Sequence, residues 1–351
     1  MKKNLFLFVL SLILFGCGSK SETITFNELI SVAKIDTLFT DKISIRAIEI
    51  EKDKVWYAAD KNRYGYYDLS TNKRTERRIS IDTLKLEFRS IAQTKNSVFI
   101  LSVGNPALLY KIDKNDLSYK LVYQEIHEKV FYDAIRFIDN KKGIAMGDPI
   151  EDTFSIITTI DGGETWNKLS KNNLPKLAIG EAAFAASNTN ICVRGNSIFL
   201  VSGGIKSRIF VSNDFCQTWQ VYETPILQGQ AMTGIFSADF LNEKTGIIVG
   251  GNYEAQLYNN ANKAVTFNGG QTWKLVGNNQ GFGYASCVQF IPNSNGHKII
   301  SVGTTGIYSS FDQGNNWKKI ADDKELFTIR FQDSKTAILA GKNKMIRMNL
   351  K

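Results

Sequence analysis

The sequence predicts an all-β chain assembled from repeated four-stranded antiparallel units, and three observations carry that prediction. An eight-residue phrase ending in tryptophan recurs, apolar strands ending in glycine recur between its copies, and alternating β-branched and aromatic runs fill the rest. The phrase reads Thr159-Ile-Asp-Gly-Gly-Glu-Thr-Trp166, Ser212-Asn-Asp-Phe-Cys-Gln-Thr-Trp219, Thr266-Phe-Asn-Gly-Gly-Gln-Thr-Trp273 and Ser310-Phe-Asp-Gln-Gly-Asn-Asn-Trp317. Its tryptophans lie 53, 54 and 44 residues apart. A period of that size is one supersecondary unit repeated.

Each copy spells a tight hairpin turn. Strand-forming residues such as Phe154 to Thr159 and Ser207 to Ser212 lead in. The carboxylates of Asp161, Asp214 and Asp312 can then accept backbone N–H bonds of their own turn. The following glycine supplies a positive φ without steric cost. Trp166, Trp219, Trp273 and Trp317 open the next strand, where burying an indole contributes roughly 2–4 kcal/mol. Asn268 replaces the aspartate in the third copy and Cys216 the glycine in the second, so the second turn is expected to be slightly distorted. The frame resembles the Asp-box, or BNR repeat, of sialidase-like, sortilin-like and photosystem-assembly-factor-like propellers. That resemblance implies a fold-stabilising turn remote from any active site.

The glycine-ended strands set the count of units. They close at Gly104, Gly147, Gly203-Gly204, Gly250-Gly251, Gly303 and Gly341, most of them preceded by an alternating strand such as Ile235 to Phe240. Units fall near residues 43–81, 88–123, 130–169, 180–223, 233–276, 284–320 and 326–350, the last one strand short. The segment Thr23 to Asn27 can supply that strand and leave no open sheet edge. The expectation is a seven-bladed β-propeller spanning residues 23–351, its ring closed by an N-terminal strand.

The first sixteen residues stand outside that domain. Lys2 and Lys3 precede an apolar run from Leu5 to Phe15, too short to span a membrane. Leu14-Phe-Gly-Cys17 resembles a bacterial lipobox, which implies cleavage before Cys17, acylation of its thiol and a tether over residues 17–22. The implied product is an exported, membrane-anchored lipoprotein. With no aspartate after Cys17, the outer membrane facing the periplasm is the expected location.

The formal charge of +9 falls to +7 without Lys2 and Lys3, and the basic residues are scattered. The cluster Lys73 to Arg78 reads as a solvated strand, which argues against nucleic acid as a partner. Cys192, Cys216 and Cys287 give no disulfide framework and no C-x-x-C metal signature. Only two histidines occur, His127 and His297, far apart in sequence, which argues against a histidine-rich metal centre and against the usual serine-hydrolase triad. No glycine-rich dinucleotide phrase or haem-attachment phrase is present, so no cofactor is expected.

Function is expected on the face opposite the tryptophan turns, where the second-to-third-strand loops and the crossings between units gather. These bring Asp148, Glu181, Tyr253, Tyr284, Arg208 and Arg136 towards one rim, with Glu151, Asp152 and Glu223 further out. Asp148 and Glu181 are candidate acid and base, since two carboxylates about 5–10 Å apart can act on a glycosidic bond. Tyr253, Arg208, Tyr284 and Glu223 are candidate ligand contacts. The bland alternatives are that Asp148, preceding Pro149, caps a turn and that Glu181 pairs with Arg194 or Arg208.

The phrases Ala145-Met-Gly-Asp-Pro149, Gly180-Glu-Ala-Ala-Phe-Ala-Ala-Ser187, Glu223-Thr-Pro225, Gly234-Ile-Phe-Ser237 and Gly250-Gly-Asn-Tyr253 resemble a family of exported bacterial seven-bladed propellers similar to the photosystem-assembly-factor-like group. The sialidase Arg-Ile-Pro phrase is absent, and Phe88-Arg-Ser-Ile91 is a poor substitute. The leading reading is a lipid-anchored envelope propeller, expected to be monomeric, that binds a protein or glycan partner at the rim. A glycoside hydrolase or lyase using Asp148 and Glu181 is the runner-up. An oxidoreductase, as some similar proteins are labelled, comes third.

Overall fold

A computed structural model describes residues 30–81 and 83–351. The chain is a β-propeller. First strands of successive units touch in cyclic order, from Ile43–Glu51 through Phe88–Gln93, Tyr132–Phe137, Ile191–Arg194, Thr233–Phe240 and Cys287–Phe290 to Leu326–Phe331, which returns to the start. Pairing within each unit is antiparallel throughout.

The described residues form six sheets rather than the seven separate blades expected. The reason is one uninterrupted strand. Val32–Glu51 is 20 residues long, with no proline or glycine to break it. Its first part pairs with Thr336–Leu350, from Val32 opposite Leu350 to Ser44 opposite Lys342. Its second part pairs with Lys54–Ala59, from Ile45 opposite Ala59 to Glu51 opposite Lys54. The first and last units therefore fuse into one six-stranded sheet. The segment Thr23 to Asn27, expected to close the ring, lies outside the described residues, as do Cys17 and the leader. Val32–Thr40 is the strand that pairs with the chain's C-terminal end.

The core is a series of wedges between neighbouring sheets. Phe99, Leu101 and Leu109 of one sheet pack with Tyr132, Ile135, Ala145 and Ile157 of the next, and Trp166 closes that wedge. Trp219, Trp273 and Trp317 pack at the three following junctions. Trp166 meets the Phe137 ring edge-on at 5.7 Å, and Trp317 meets Phe282 at 4.9 Å. Trp166 also meets Phe99 of the preceding sheet at 6.2 Å, and each of the four indoles packs in a different cluster spanning two neighbouring sheets, so the tryptophans share no cleft.

The turns before those tryptophans share one geometry. Asp161 Oδ1 accepts from the backbone N–H of Glu164 and Thr165 at 3.0 and 3.1 Å, and Asp214 accepts in the same way from Gln217 and Thr218. Two successive residues hold positive φ in each turn: Gly162 and Gly163, Phe215 and Cys216, Gly269 and Gly270, Gln313 and Gly314. Cys216 N donates to Ser212 Oγ at 2.8 Å, as Gly163 N does to Thr159 Oγ1 at 3.0 Å. The expected distortion at Cys216 is absent: cysteine adopts the glycine conformation and its thiol is buried. Gly162 N and Gly269 N also bond Lys141 O and Lys244 O, which places these turns beside the first-to-second-strand turns on one face.

Candidate functional site

The propeller's axis is plugged. The segment Ala186 to Asn190 is buried along its whole length and reaches every other inner strand. Ala186 O accepts from Arg46 Nη1 at 3.4 Å, and Asn188 Nδ2 donates to Ile91 O at 2.6 Å. Asn188 Oδ1 accepts from Ile135 N at 2.9 Å. Thr189 O accepts from Ala238 N, Ser187 Oγ donates to Ser286 O, and Arg330 Nη2 donates to Ser187 O. Alanine, serine, asparagine and threonine suit this place: they are small, and their polar atoms satisfy strand edges that would otherwise face the channel. The face opposite the tryptophan turns therefore opens onto a blind mouth, with Phe184 and Ala186 at its floor.

The mouth is lined by a repeated defect of the inner strands. Five of them carry a one-residue register shift near their entry, and the extra residues are Arg46, Arg89, Asp133, Phe236 and Phe327. A bulge re-aims one side chain out of the alternation. The recurring glycine of the second strand stands opposite three of these bulges, those of Asp133, Phe236 and Phe327. A Cβ on Gly147, Gly250, Gly303 or Gly341 would strike the backbone oxygen of Phe131, Gly234, Tyr284 or Glu325, so only glycine lets the two backbones approach.

Of these side chains Arg46, Arg89 and Phe327 are partly exposed, whereas Asp133 and Phe236 are buried. Arg46 Cζ stands 4.2 Å from the centre of the Phe327 ring. Burial lowers its pKa, and Arg89 adds to that, yet the group stays cationic. Among the described residues Arg46 has no carboxylate ion pair. Arg89 pairs with Glu87 at 2.7 Å. Asp133 is fully buried, and neither carboxyl oxygen has a hydrogen-bond partner. Burial first, and the charge of Asp148 second, push its pKa well above the usual carboxyl range against the pull of Arg89. Burial likewise pushes Asp148 up to about 6, although its Oδ1 accepts from Ala183 N at 2.8 Å. On the far side Phe184 stacks on Phe236 at 3.9 Å, Tyr284 meets Phe236 edge-on at 4.8 Å, and Tyr253 meets Tyr284 at 5.1 Å.

The sequence candidates divide. Asp148, Tyr253 and Tyr284 fall at the mouth. Glu181 is buried and spent: Arg208 donates Nε to Oε1 at 2.9 Å and Nη2 to Oε2 at 2.5 Å, while Ser202 Oγ and Ala178 N supply one bond each. Its pairing with Arg208 follows the bland alternative, and no lone pair faces a substrate. Arg208 is used by the same pair. Glu223 lies out on the rim with Lys206 at 3.4 Å, as do Glu151 with Lys171 and Asp152 with Lys176. Arg136 reaches the plug near the far end, held by Glu49 and by Asn188 O. Arg46, Arg89, Asp133, Phe236 and Phe327 were not among the sequence candidates. Gly147, Gly250 and Gly341 are the sequence signal for Asp133, Phe236 and Phe327; no glycine stands opposite the bulges of Arg46 and Arg89.

Around the mouth the rim is apolar on one side. Ile179 and Leu257 are 97% and 84% exposed, and Ile205, Tyr253 and Tyr258 join them. Ile205 lies against Gly180, and Tyr253 N bonds Met232 O, so these loops abut. Among the described residues no cluster of three metal-binding side chains exists.

No family model matches the sequence, and no curated protein matches it. The fold is similar to solved structures. One described as YCF48 bound to D1 peptide aligns at a TM-score of 0.62 and 12% identity, covering 91% of this chain and 96% of that one. YCF48 from Cyanidioschyzon merolae aligns at 0.62 and 12%, covering 90% and 98%. The structure of U3-55K aligns at 0.63 and 10%, covering 91% and 99%. Identities this low show the propeller fold alone.

Proposed function

We propose that this chain is a binding propeller that docks a polypeptide segment carrying a carboxylate across its blind mouth. The observation that carries the reading is Arg46. A guanidinium without an ion pair among the described residues, backed by an aromatic ring and beside a second arginine, is built to receive a carboxylate from outside. The exposed crescent of Ile179, Ile205 and Leu257 supplies apolar contact next to it. A neighbour of the same fold is described with a bound peptide, which agrees with this use of a propeller. A hydrolase acting through Asp148 and Glu181 is less well supported, because Glu181 is tied to Arg208.

The finer parts of the reading come from the sequence. The tryptophan turns are read as Asp-boxes, structural on the grounds that each indole packs in a junction between sheets. The chain is read as an exported lipoprotein tethered through Cys17. Ile30 lines the same recess as Asp312 and Asn316, so the described chain starts on the face of the tryptophan turns. A tether there points the mouth away from the membrane, towards a partner in the envelope.

A photo-crosslinking amino acid tests the docking face in the native cell. Placed at Leu257, on the rim, it is expected to trap a protein partner. Placed at Phe267, also exposed but on the opposite face, it is expected to trap none. Equal trapping at both positions, or none at Leu257, would sink the reading.

A further inference from the structure

Two tyrosines stand beside the guanidinium on which the docking reading rests, and their hydroxyls are unpaired. Arg46 Nη1 donates to Ala186 O at 3.4 Å, and Ala186 packs with Tyr284 and Phe236 in one buried cluster. Tyr284 is fixed from three sides. Its backbone N donates to Gln256 O at 2.8 Å, its ring meets Phe236 edge-on at 4.8 Å, and Tyr253 meets it edge-on at 5.1 Å. The residue is 3% exposed, yet among the described residues its hydroxyl makes no hydrogen bond. A phenol buried this deeply normally finds a partner, so a docked group is left to supply one. Tyr253, 40% exposed at the rim, has an unpaired hydroxyl too, and Arg46 lies within electrostatic reach of both rings. Burial raises the Tyr284 phenol above its ordinary pKa against the pull of Arg46, so it stays a proton donor. Glu87 also acts on Arg46 from a distance, but Arg89 holds it at 2.7 Å. Ring surface borders the place. Phe327, its centre 4.2 Å from Arg46 Cζ, and Phe184, stacked on Phe236 at 3.9 Å, are both partly exposed.

We propose that Arg46, Tyr284 and Tyr253 form one cradle for a single carboxylate, and that the docked segment presents this carboxylate beside an aromatic residue. The proposal rests on the docking reading and names what that site selects. The guanidinium offers parallel N–H donors to the two carboxylate oxygens, and the phenols add O–H donors to the lone pairs left over. Each hydrogen bond to a charged oxygen in such a desolvated place is worth about tenfold or more in affinity. Phe184 and Phe327 favour a ring as the neighbour of the acid, since aromatic pairs gain more than their buried area alone. Topology brings the parts together. Arg46 bulges from an inner strand, Tyr253 sits in the loop after Gly246–Asn252, and Tyr284 sits in the crossing just before Cys287–Phe290.

The test uses the full-length chain and acetylated, amidated heptapeptides of glycine and serine carrying a central Phe-Glu, Phe-Gln or Gly-Glu pair. Wild type is expected to bind the Phe-Glu peptide at least about tenfold more tightly than Phe-Gln, and about fivefold more tightly than Gly-Glu. Tyr284→Phe removes one oxygen and keeps the ring. It is expected to weaken Phe-Glu about tenfold and to leave Phe-Gln unchanged. Tyr253→Phe, at an exposed ring, is expected to weaken Phe-Glu about threefold, and Arg46→Gln to abolish the preference for glutamate. A preference for glutamate that needs Arg46 but survives both tyrosine exchanges undiminished overturns the cradle and leaves the docking reading standing. Equal binding of Phe-Glu and Gly-Glu overturns the aromatic neighbour. No binding, no preference for glutamate, or a preference that ignores Arg46 overturns the cradle and the docking reading together.

Discussion

Asn188 Nδ2 donates to the carbonyl of Ile91 at 2.6 Å, although 97 residues separate them in the chain. The same side chain accepts from Ile135 N at 2.9 Å. One amide thus bridges two neighbouring inner strands from the centre of the ring, with no exposed surface of its own. Its φ of 60° is one that asparagine tolerates better than most residues.

Replacing Asn188 by alanine strands a buried carbonyl and a buried N–H together. Each unsatisfied group costs about 1–3 kcal/mol. Asn188→Ala is therefore expected to lower stability by about 2–5 kcal/mol in urea unfolding. Asn188→Asp keeps the acceptor, loses the donor and buries a charge, so it should be no better at neutral pH. A loss below about 1 kcal/mol for the alanine variant would show that the plug does not brace the ring.

The glycine repeat yields a paired prediction. Gly147 faces the Phe131 carbonyl so closely that a methyl cannot fit, whereas a Cβ on Gly104 meets nothing within 4 Å. Gly147→Ala is expected to cost about 2–4 kcal/mol, because backbone must move. Gly104→Ala should be neutral or stabilising by up to about 1 kcal/mol, through the unfolded chain alone. Thermal unfolding of the two variants side by side decides it.

That contrast also shows what the sequence discloses and what it conceals. The repeat of Trp166, Trp219, Trp273 and Trp317 made the ring legible, because period and turn chemistry are local properties. The fusion of first and last units was not legible: whether Asp41 and Lys42 end one strand or lie inside a longer one depends on pairing with Lys342 and Lys344, far away in the chain. The mouth was half legible. Asp148 and Tyr253 sit on loops whose position follows from topology. Arg46 and Arg89 sit inside strands, between the buried neighbours Ile45 and Ala47 or Phe88 and Ser90. In a regular strand they would point where their neighbours cannot, and only the bulge frees them. The plug was missed because Ser187 to Asn190 reads as an ordinary crossing until six other strands are placed around it.

Lys263 gives a pH prediction. It is 1% exposed, its Nζ donates to Asn262 Oδ1 at 2.6 Å, and the Phe282 ring centre lies 4.7 Å away. Burial pulls its pKa down to about 7. The folded state then releases a proton that the unfolded chain keeps, so stability rises as pH climbs from about 7 towards 10.5, the lysine's ordinary value. Below 7 the penalty of a buried cation is fully present. Lys263→Met removes it and should stabilise by about 1–3 kcal/mol at pH 6.5, with a smaller gain at pH 9. A constant difference between the two proteins across that range would contradict the assignment.

The last prediction uses the natural variation among the tryptophan turns. Desolvation opposes ionisation of Asp161, but bonds from Thr165, Thr159 and Glu164 outweigh it and hold the carboxyl down to about 2. Asn268 fills the equivalent place with the same backbone acceptor, taking Thr272 N at 3.0 Å, and turns its Nδ2 to Thr272 Oγ1 at 2.9 Å. Asp161→Asn should therefore cost under about 1 kcal/mol, since the amide repeats a solution the chain already contains. Asp161→Ala loses the acceptor for the Glu164 and Thr165 N–H groups and should cost about 1–2 kcal/mol, little more because the N–H groups it strands can reach water. The folded pKa lies below the ordinary value, so the carboxylate's contribution is present above about pH 4 and fades as pH falls towards 2. Acid unfolding of wild type and Asp161→Asn should accordingly converge as pH falls to about 2. If Asp161→Asn cost as much as Asp161→Ala at neutral pH, the charge rather than the acceptor geometry would be what holds the turn.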